Sequence, residues 1–355
     1  MSGRAPSLAE GPRGLVGPKA EKTVSLALQG GGSHGAFTWG VLDAILEDGR
    51  LAIEAISGAS AGAMNAIALA DGWQEGGPEG ARAGLEAFWQ RVSIGGRLSP
   101  MQRGIFDRMM GFWYDEDSFG RMWLDTVKKF SSPYDSNPLD ANPLRDALAD
   151  LINFENVRAC PRLKLCIAAT NVWTGKLVVF PREELTVDHL LASACLPQVF
   201  KAVEIDGVPY WDGGYMGNPP LYPLFYGVAA DDILLVQINP IERRETPRTA
   251  REISNRLSEI TFNASLIKEL RAIEFVTRLI DEGKLSHEDY KRVLMHRVDP
   301  TGYLDDFAAS SRIRADWSSI ATLKERGHAA GRAWLERHYD DIGKRATLDL
   351  RPQID

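Results

Sequence analysis

The chain has 355 residues, 44% of them hydrophobic and 25% charged, an ordinary balance for a globular protein with a sizeable core. A formal net charge of −7 argues against an extended nucleic-acid surface, which needs clustered lysine and arginine. The three cysteines, Cys160, Cys166 and Cys195, have irregular spacing that makes neither a disulfide framework nor a metal-ligand pattern, and they point to a reducing compartment.

Residues 1–22 carry Pro, Gly and Ser but no apolar segment of the secretory kind, and are read as a disordered leader. No apolar run approaches the ~18 residues that span a bilayer, so a cytoplasmic location is expected, with room for peripheral contact with a lipid surface. Order begins with "TVSLAL" (23–28), a β-branched apolar run of buried-strand type. The glycine loop "QGGGSHG" leads into a helix in which Phe37, Val41, Ala44 and Ile45 recur at helical spacing and Gly49 offers a stop. A second strand, "LAIEAIS" (51–57), enters the turn around Ser60, and the helix beyond it is expected to close at Gly72. This βαβα order predicts a parallel sheet covered on both faces.

Helical patterns follow in "GLEAFWQRVS", "DSFGRMWLDTVKKF" and "LRDALADLI". Strands are predicted at 163–170 and 176–180, with a hairpin turning at Asp206-Gly207 and another apolar strand at 231–239. "TVDHLLASACL" reads as a helix, 251–283 as a long amphipathic helix, and "TLKERGHAAGRAWLERHY" as the last. The expected organisation is a leader (1–22), a catalytic domain (23–240) and a helical C-terminal region (241–355).

Gly58-Ala59-Ser60-Ala61-Gly62 is a G-x-S-x-G sequence between a predicted strand and a predicted helix. A serine at the apex of so sharp a turn requires small residues at Gly58 and Gly62, and its position at a helix N-terminus favours developing negative charge. The bland alternative is a serine that merely caps the helix. The run Gly30-Gly31-Gly32-Ser33-His34-Gly35 lets backbone N–H groups converge on an anion. It lacks the spacing of nucleotide-binding loops, so an oxyanion hole from Gly30, Gly31 and Gly32 is the better reading, beside a plain flexible turn.

A serine nucleophile needs a proton acceptor. Of the six histidines, His287, His296, His328 and His338 fall in or around the C-terminal helical region, His189 sits within a helical pattern, and His34 lies in the glycine loop. Asp212 instead follows a short strand in "YWDGGYMGNPP", and Gly213 and Gly214 free the backbone to approach another loop. An apolar cleft raises a carboxyl pKa, so a Ser60–Asp212 dyad is chemically sufficient.

The glycine loop after the first strand, GASAG after the second and DGG far downstream together resemble the patatin-like phospholipase family, as do "ATNVWTGKLVVF", "ASACLPQVFKAVEIDGVPYWDGG" and "NPPLYPL". The resemblance covers roughly residues 23–240. It implies a three-layer α/β/α fold and hydrolysis of lipid acyl esters by Ser60 and Asp212, with no metal or organic cofactor. His34 departs from the Arg or Lys that members commonly carry there, which removes a fixed positive charge from the loop. Two competing readings are an α/β-hydrolase with a histidine base and a catalytically silent lipid-binding or scaffold protein of the same fold. The aromatic and Met-rich stretch 104–114 is expected to line an acyl channel or form a lid, or else to be ordinary core.

Overall fold

The structure, a computed structural model, describes residues 14–93, 132–136, 142–160, 163–197, 199–304 and 317–354. The first strand, β1 (Lys22–Leu28), is followed by α1 (Gly35–Asp48), β2 (Leu51–Gly58) and α2 (Ala61–Val92). Two shorter helices, α3 (Pro143–Leu151) and α4 (Phe154–Ala159), precede β3 (Lys164–Asn171) and β4 (Leu177–Pro181). Then come α5 (Val187–Ser193), β5 (Val203–Ile205), β6 (Val208–Asp212) and β7 (Asp232–Val236). The long helix α6 (Ala250–Asp281), β8 (Leu294–Val298) and α7 (Trp317–His338) complete the order.

The strands form one mixed, mostly parallel sheet in the order β5-β6-β3-β2-β1-β7-β8, with β4 paired to β3. Both faces of its centre are covered, and alternation along each strand sends side chains into two cores. Val24, Leu26 and Leu28 of β1 join Leu234 and Val236 of β7 in one core, shared with α1, α2 and α7. Ala27, Ile233 and Leu235 point the other way, against Leu266, Leu270 and Ile273 of α6. This is an α/β/α layering with helices continuing beyond the last β1-side strands. Each large side chain so buried stabilises the fold by roughly 1.5–3 kcal/mol, less its lost rotamer freedom.

Three features differ from the sequence reading. The helix expected to stop at Gly72 runs on to Val92, and its break falls instead at Gly76 and Gly77, which have non-helical dihedrals. Within the expected leader, Leu15 is buried and exchanges two backbone hydrogen bonds with Ile53 of β2, at 2.7 and 3.0 Å. The strand β8, "LMHRV", was not foreseen; its His296 and Arg297 disguise a run whose other residues are buried, and it extends the sheet in parallel beside β7.

Register brings the Ser60 turn and Asp212 together. One edge of β3 is occupied by β4 from Cys166 to Thr170. Cys166 also pairs with Ser57 of β2, and Ala169 also pairs with Asp212 of β6, so β2 and β6 must share the other edge. The last β2 pair is Gly58–Ile167, and Asp212 arrives two residues farther along β3. At ~3.3 Å per residue this sets Asp212 just beyond the end of β2, where the chain turns into Ser60.

Candidate active site

Ser60 is the N-cap of α2 and has φ 52° and ψ −124°, a left-handed conformation that a non-glycine residue adopts only when its surroundings enforce it. The enforcement is steric and polar. A Cβ on Gly62 would stand 2.1 Å from the Leu28 carbonyl oxygen, and one on Gly58 would meet the Gly62 backbone at 2.8 Å. The Ser60 N–H donates to the carbonyl and the hydroxyl of Ser193, at 3.1 and 3.0 Å, which ties the turn to α5. Fixed in this way, Ser60 faces an apolar cleft that Met64, Phe88, Trp89, Leu196 and Phe262 help to line, and Asp212 opens onto the same cleft.

Asp212 is 2% exposed. Its backbone is held by the Cys195 carbonyl and by the Thr170 hydroxyl, which donates to the Asp212 carbonyl at 2.8 Å. The Gly214 N–H donates to one carboxyl oxygen at 2.7 Å. Burial raises the carboxyl pKa to about 7, against the opposing pull of hydrogen bonds from the Gly214 amide and the Ser60 side chain. Ser60 and Asp212 thus border one cleft, with the carboxyl pKa raised by burial. Gly213 and Gly214 serve this approach, since Gly213 packs on the Ala168 carbonyl and Gly214 on the Phe262 ring.

The glycine loop borders the same cleft through Gly30, Gly31 and Gly32. Gly32 has φ 60°, a conformation in which glycine carries no Cβ penalty. The three amides are not equivalent. The Gly30 N–H is committed to the Asn218 Oδ1 at 2.6 Å, so Gly31 and Gly32 are left as the loop's candidate donors. His34 is buried, and desolvation together with the Arg243 guanidinium lowers its pKa to about 4, so it is neutral at pH 7. Gly35 abuts Ala61 and the Trp89 ring, and its carbonyl accepts from Asn65 Nδ2 at 3.0 Å, joining the starts of α1 and α2.

Four of the other histidines have partners elsewhere. His189 caps α5 through Thr186, His296 bonds Asp232 and Thr347, His328 bonds Glu47, and His338 bonds Asp341. None of these partners is Ser60. Among the described residues no group of three or more His, Cys, Asp or Glu side chains is placed to hold a metal ion. None of the described helices is long and apolar enough to cross a membrane. The stretch 104–114 lies outside the described residues. Sequence reasoning missed Asn218 and Ser193, whose roles depend on contacts across 188 and 133 residues; the only hint was the asparagine that follows DGG.

A family model described as patatin-like phospholipase matches residues 26–225, more than half of the chain. The protein belongs to that family, whose class is lipid acyl hydrolase. Its fold is also similar to VipD from Legionella pneumophila, at 16% identity and a TM-score of 0.40, covering 90% of this chain and 68% of VipD. A second similar structure is full-length ExoU in complex with SpcU, from the type III secretion system of Pseudomonas aeruginosa. The identity there is 16% and the TM-score 0.34, over 92% of this chain and 57% of that one. The chain thus spans little more than half the length of that solved relative. No curated protein sequence matches significantly.

Proposed function

We propose that this protein cleaves fatty-acyl esters of lipids, with Ser60 as nucleophile and Asp212 as general base. Ser60 Oγ attacks the ester carbonyl as its proton passes to the Asp212 carboxylate. The carbonyl oxygen becomes an oxyanion that accepts hydrogen bonds from the Gly31 and Gly32 amides, and collapse of the intermediate expels the protonated alcohol. Water then attacks the acyl-serine with Asp212 again as base, releasing the fatty acid and restoring the hydroxyl.

The observation that carries this reading is a buried Asp212 carboxyl and a Ser60 of positive φ on one apolar cleft, beside the glycine loop; burial raises the carboxyl pKa to about 7. A carboxylate so desolvated is a far better base than one in water, and the left-handed serine beside it is conformational strain of the kind stored at active sites. The neutral His34 means that the oxyanion is stabilised by amides and by the N-terminus of α2, without help from a charged residue at that position. We read 23–240 as the catalytic part, 241–355 as packed upon it, and the site of action as the cytoplasm or its lipid surfaces.

The test is turnover of a p-nitrophenyl ester by purified Ser60→Ala and Asp212→Asn proteins. Both are expected to be inactive while remaining folded; full activity in either one discards the dyad. A fluorophosphonate probe separates this reading from a silent scaffold of the same fold, since only an activated serine is labelled.

A further inference from the structure

The amide that must receive the oxyanion belongs to a glycine-rich loop, and a peptide between two glycines flips readily unless something holds it. Gly30 C=O and Gly31 N–H are parts of one planar trans peptide and point in opposite directions. Whatever grips the carbonyl therefore aims the amide. Two side chains grip it: Asn239 Nδ2 donates to the Gly30 carbonyl at 2.7 Å and Asn218 Nδ2 at 3.2 Å. Asn218 also accepts from the Gly30 N–H, so the peptides on both sides of Gly30 are fixed.

Asn239 is itself held in place. Gln29 Oε1 accepts the backbone N–H groups of Ile238 and Asn239, at 2.9 and 2.7 Å. Gln29 Nε2 donates to Asn263 Oδ1 at 2.8 Å, and Asn263 Nδ2 donates to the Pro240 carbonyl at 3.1 Å. All four side chains are buried, with exposures of 0% for Gln29, 1% for Asn218, 5% for Asn239 and 2% for Asn263. Burying four carboxamides among apolar neighbours is costly unless their hydrogen bonds are met, and these are met by one another and by the loop. The network is not needed to join the strands, which pair through their own backbones.

We infer that Asn239, just past β7, and Asn263, on α6, are positioning residues that lock the Gly30–Gly31 peptide and so hold the Gly31 N–H toward the acyl carbonyl on Ser60. Both lie outside the matched stretch 26–225, so the region beyond it completes the active site instead of merely covering it. The inference rests on the dyad reading for its catalytic consequence, and on geometry alone for the lock.

The test uses the full-length protein and two variants, Asn239→Ala and Asn263→Ala. On a soluble p-nitrophenyl ester, Asn239→Ala is expected to lower kcat about 10- to 100-fold, part of the loss seen when an oxyanion donor is removed outright. KM should change by less than about 3-fold, the pattern for an interaction made only in the transition state. Asn263→Ala, one contact farther out, should show the same pattern with a smaller loss. A trifluoromethyl ketone, which forms an oxyanion on serine, should lose affinity in step with kcat/KM, whereas 1-dodecanol, which fills the cleft with no anionic oxygen, should not. Unchanged kcat in both folded variants, or equal weakening of ketone and dodecanol, overturns the inference.

A readout independent of turnover comes from the Gly31 amide resonance in the Ser60→Ala background. It should be single and slowly exchanging with Asn239 present, and broadened or about 10-fold faster in exchange without it. Should Asn239→Ala not fold, Asn263→Ala alone decides by both readouts. Should Ser60→Ala retain activity, the dyad has failed, and the amide measurement still judges the lock.

Discussion

The two ends of the β7–β1–β2 sheet each bury an aspartate, and only one of these looks at first like part of a catalytic triad. At the end remote from the cleft, Asp232 bonds His296 Nε2 at 2.8 Å, and His296 Nδ1 meets the Thr347 hydroxyl at 2.9 Å. Gly343 N–H donates to the same aspartate oxygen, and His296 is fully buried with the Trp334 ring edge-on to it at 5.8 Å. At the cleft end the Asp212 carboxyl accepts from the Gly214 amide, and no histidine bonds it among the described residues. The Asp–His–Thr row is a set of hydrogen bonds among side chains that lie away from the cleft. The Asp212 carboxyl faces the apolar cleft, which is why it is the base we propose. Recognising a base thus depends on unspent hydrogen-bonding capacity at a cavity more than on residue names.

The sharpest way to break this contrast is at the cleft end. Ser60→Ala and Asp212→Asn should each lower kcat/KM for a soluble ester at least about 10³-fold, and the double variant should be no worse than either, as for residues that act as a unit. Additive losses would mean that the two act separately.

The pH profile should sharpen it next. Asp212 must be ionised to accept a proton, and its pKa is raised to about 7, so log kcat/KM should rise with pH and level off above about 7. A profile that is flat from pH 5 to 8 would assign the base elsewhere. The same shift has a stability cost of opposite slope. The folded state holds the proton more tightly than the unfolded chain, so this contribution is fully present below the ordinary aspartate value of 3.8 and is lost as pH rises through about 7. Asp212→Asn, which never ionises, should therefore gain stability over the parent above neutral pH, by up to about 4 kcal/mol for a three-unit shift. It should gain nothing near pH 4. Urea melts at pH 4 and pH 8 measure the difference.

The smallest effect on chemistry should come from the remote end. His296→Gln is expected to leave kcat/KM within about 2-fold while costing about 1–3 kcal/mol, because it disturbs a buried hydrogen-bonded pair. A large kinetic loss with unchanged melting would return a histidine to the mechanism.

Much of this was legible before any coordinates. The βαβα start, the sharp turn at Ser60 and the close backbone approach at Gly213 come from local signals: buried strands as apolar runs, and glycines where a side chain would strike backbone. The matched family segment agrees with that stretch. The break at Gly76–Gly77 was misplaced because Gly72 carries the same signal of a helix stop. Strand β8 escaped because its two charged-type residues have buried or half-buried partners, His296 with Asp232 and Arg297 with Gln237 and Gln353, that lie far away along the chain.

Steric rules act between neighbours, so five contiguous residues were enough to specify the strained serine and the small residues around it. The charge state of His34, the commitment of the Gly30 amide to Asn218 and the support of that loop by Asn239 and Asn263 depend instead on desolvation and on hydrogen bonds between residues 188 to 234 positions apart. Those are properties of the packed chain: a dielectric environment and a β3 edge shared by two strands exist only once the sheet has assembled.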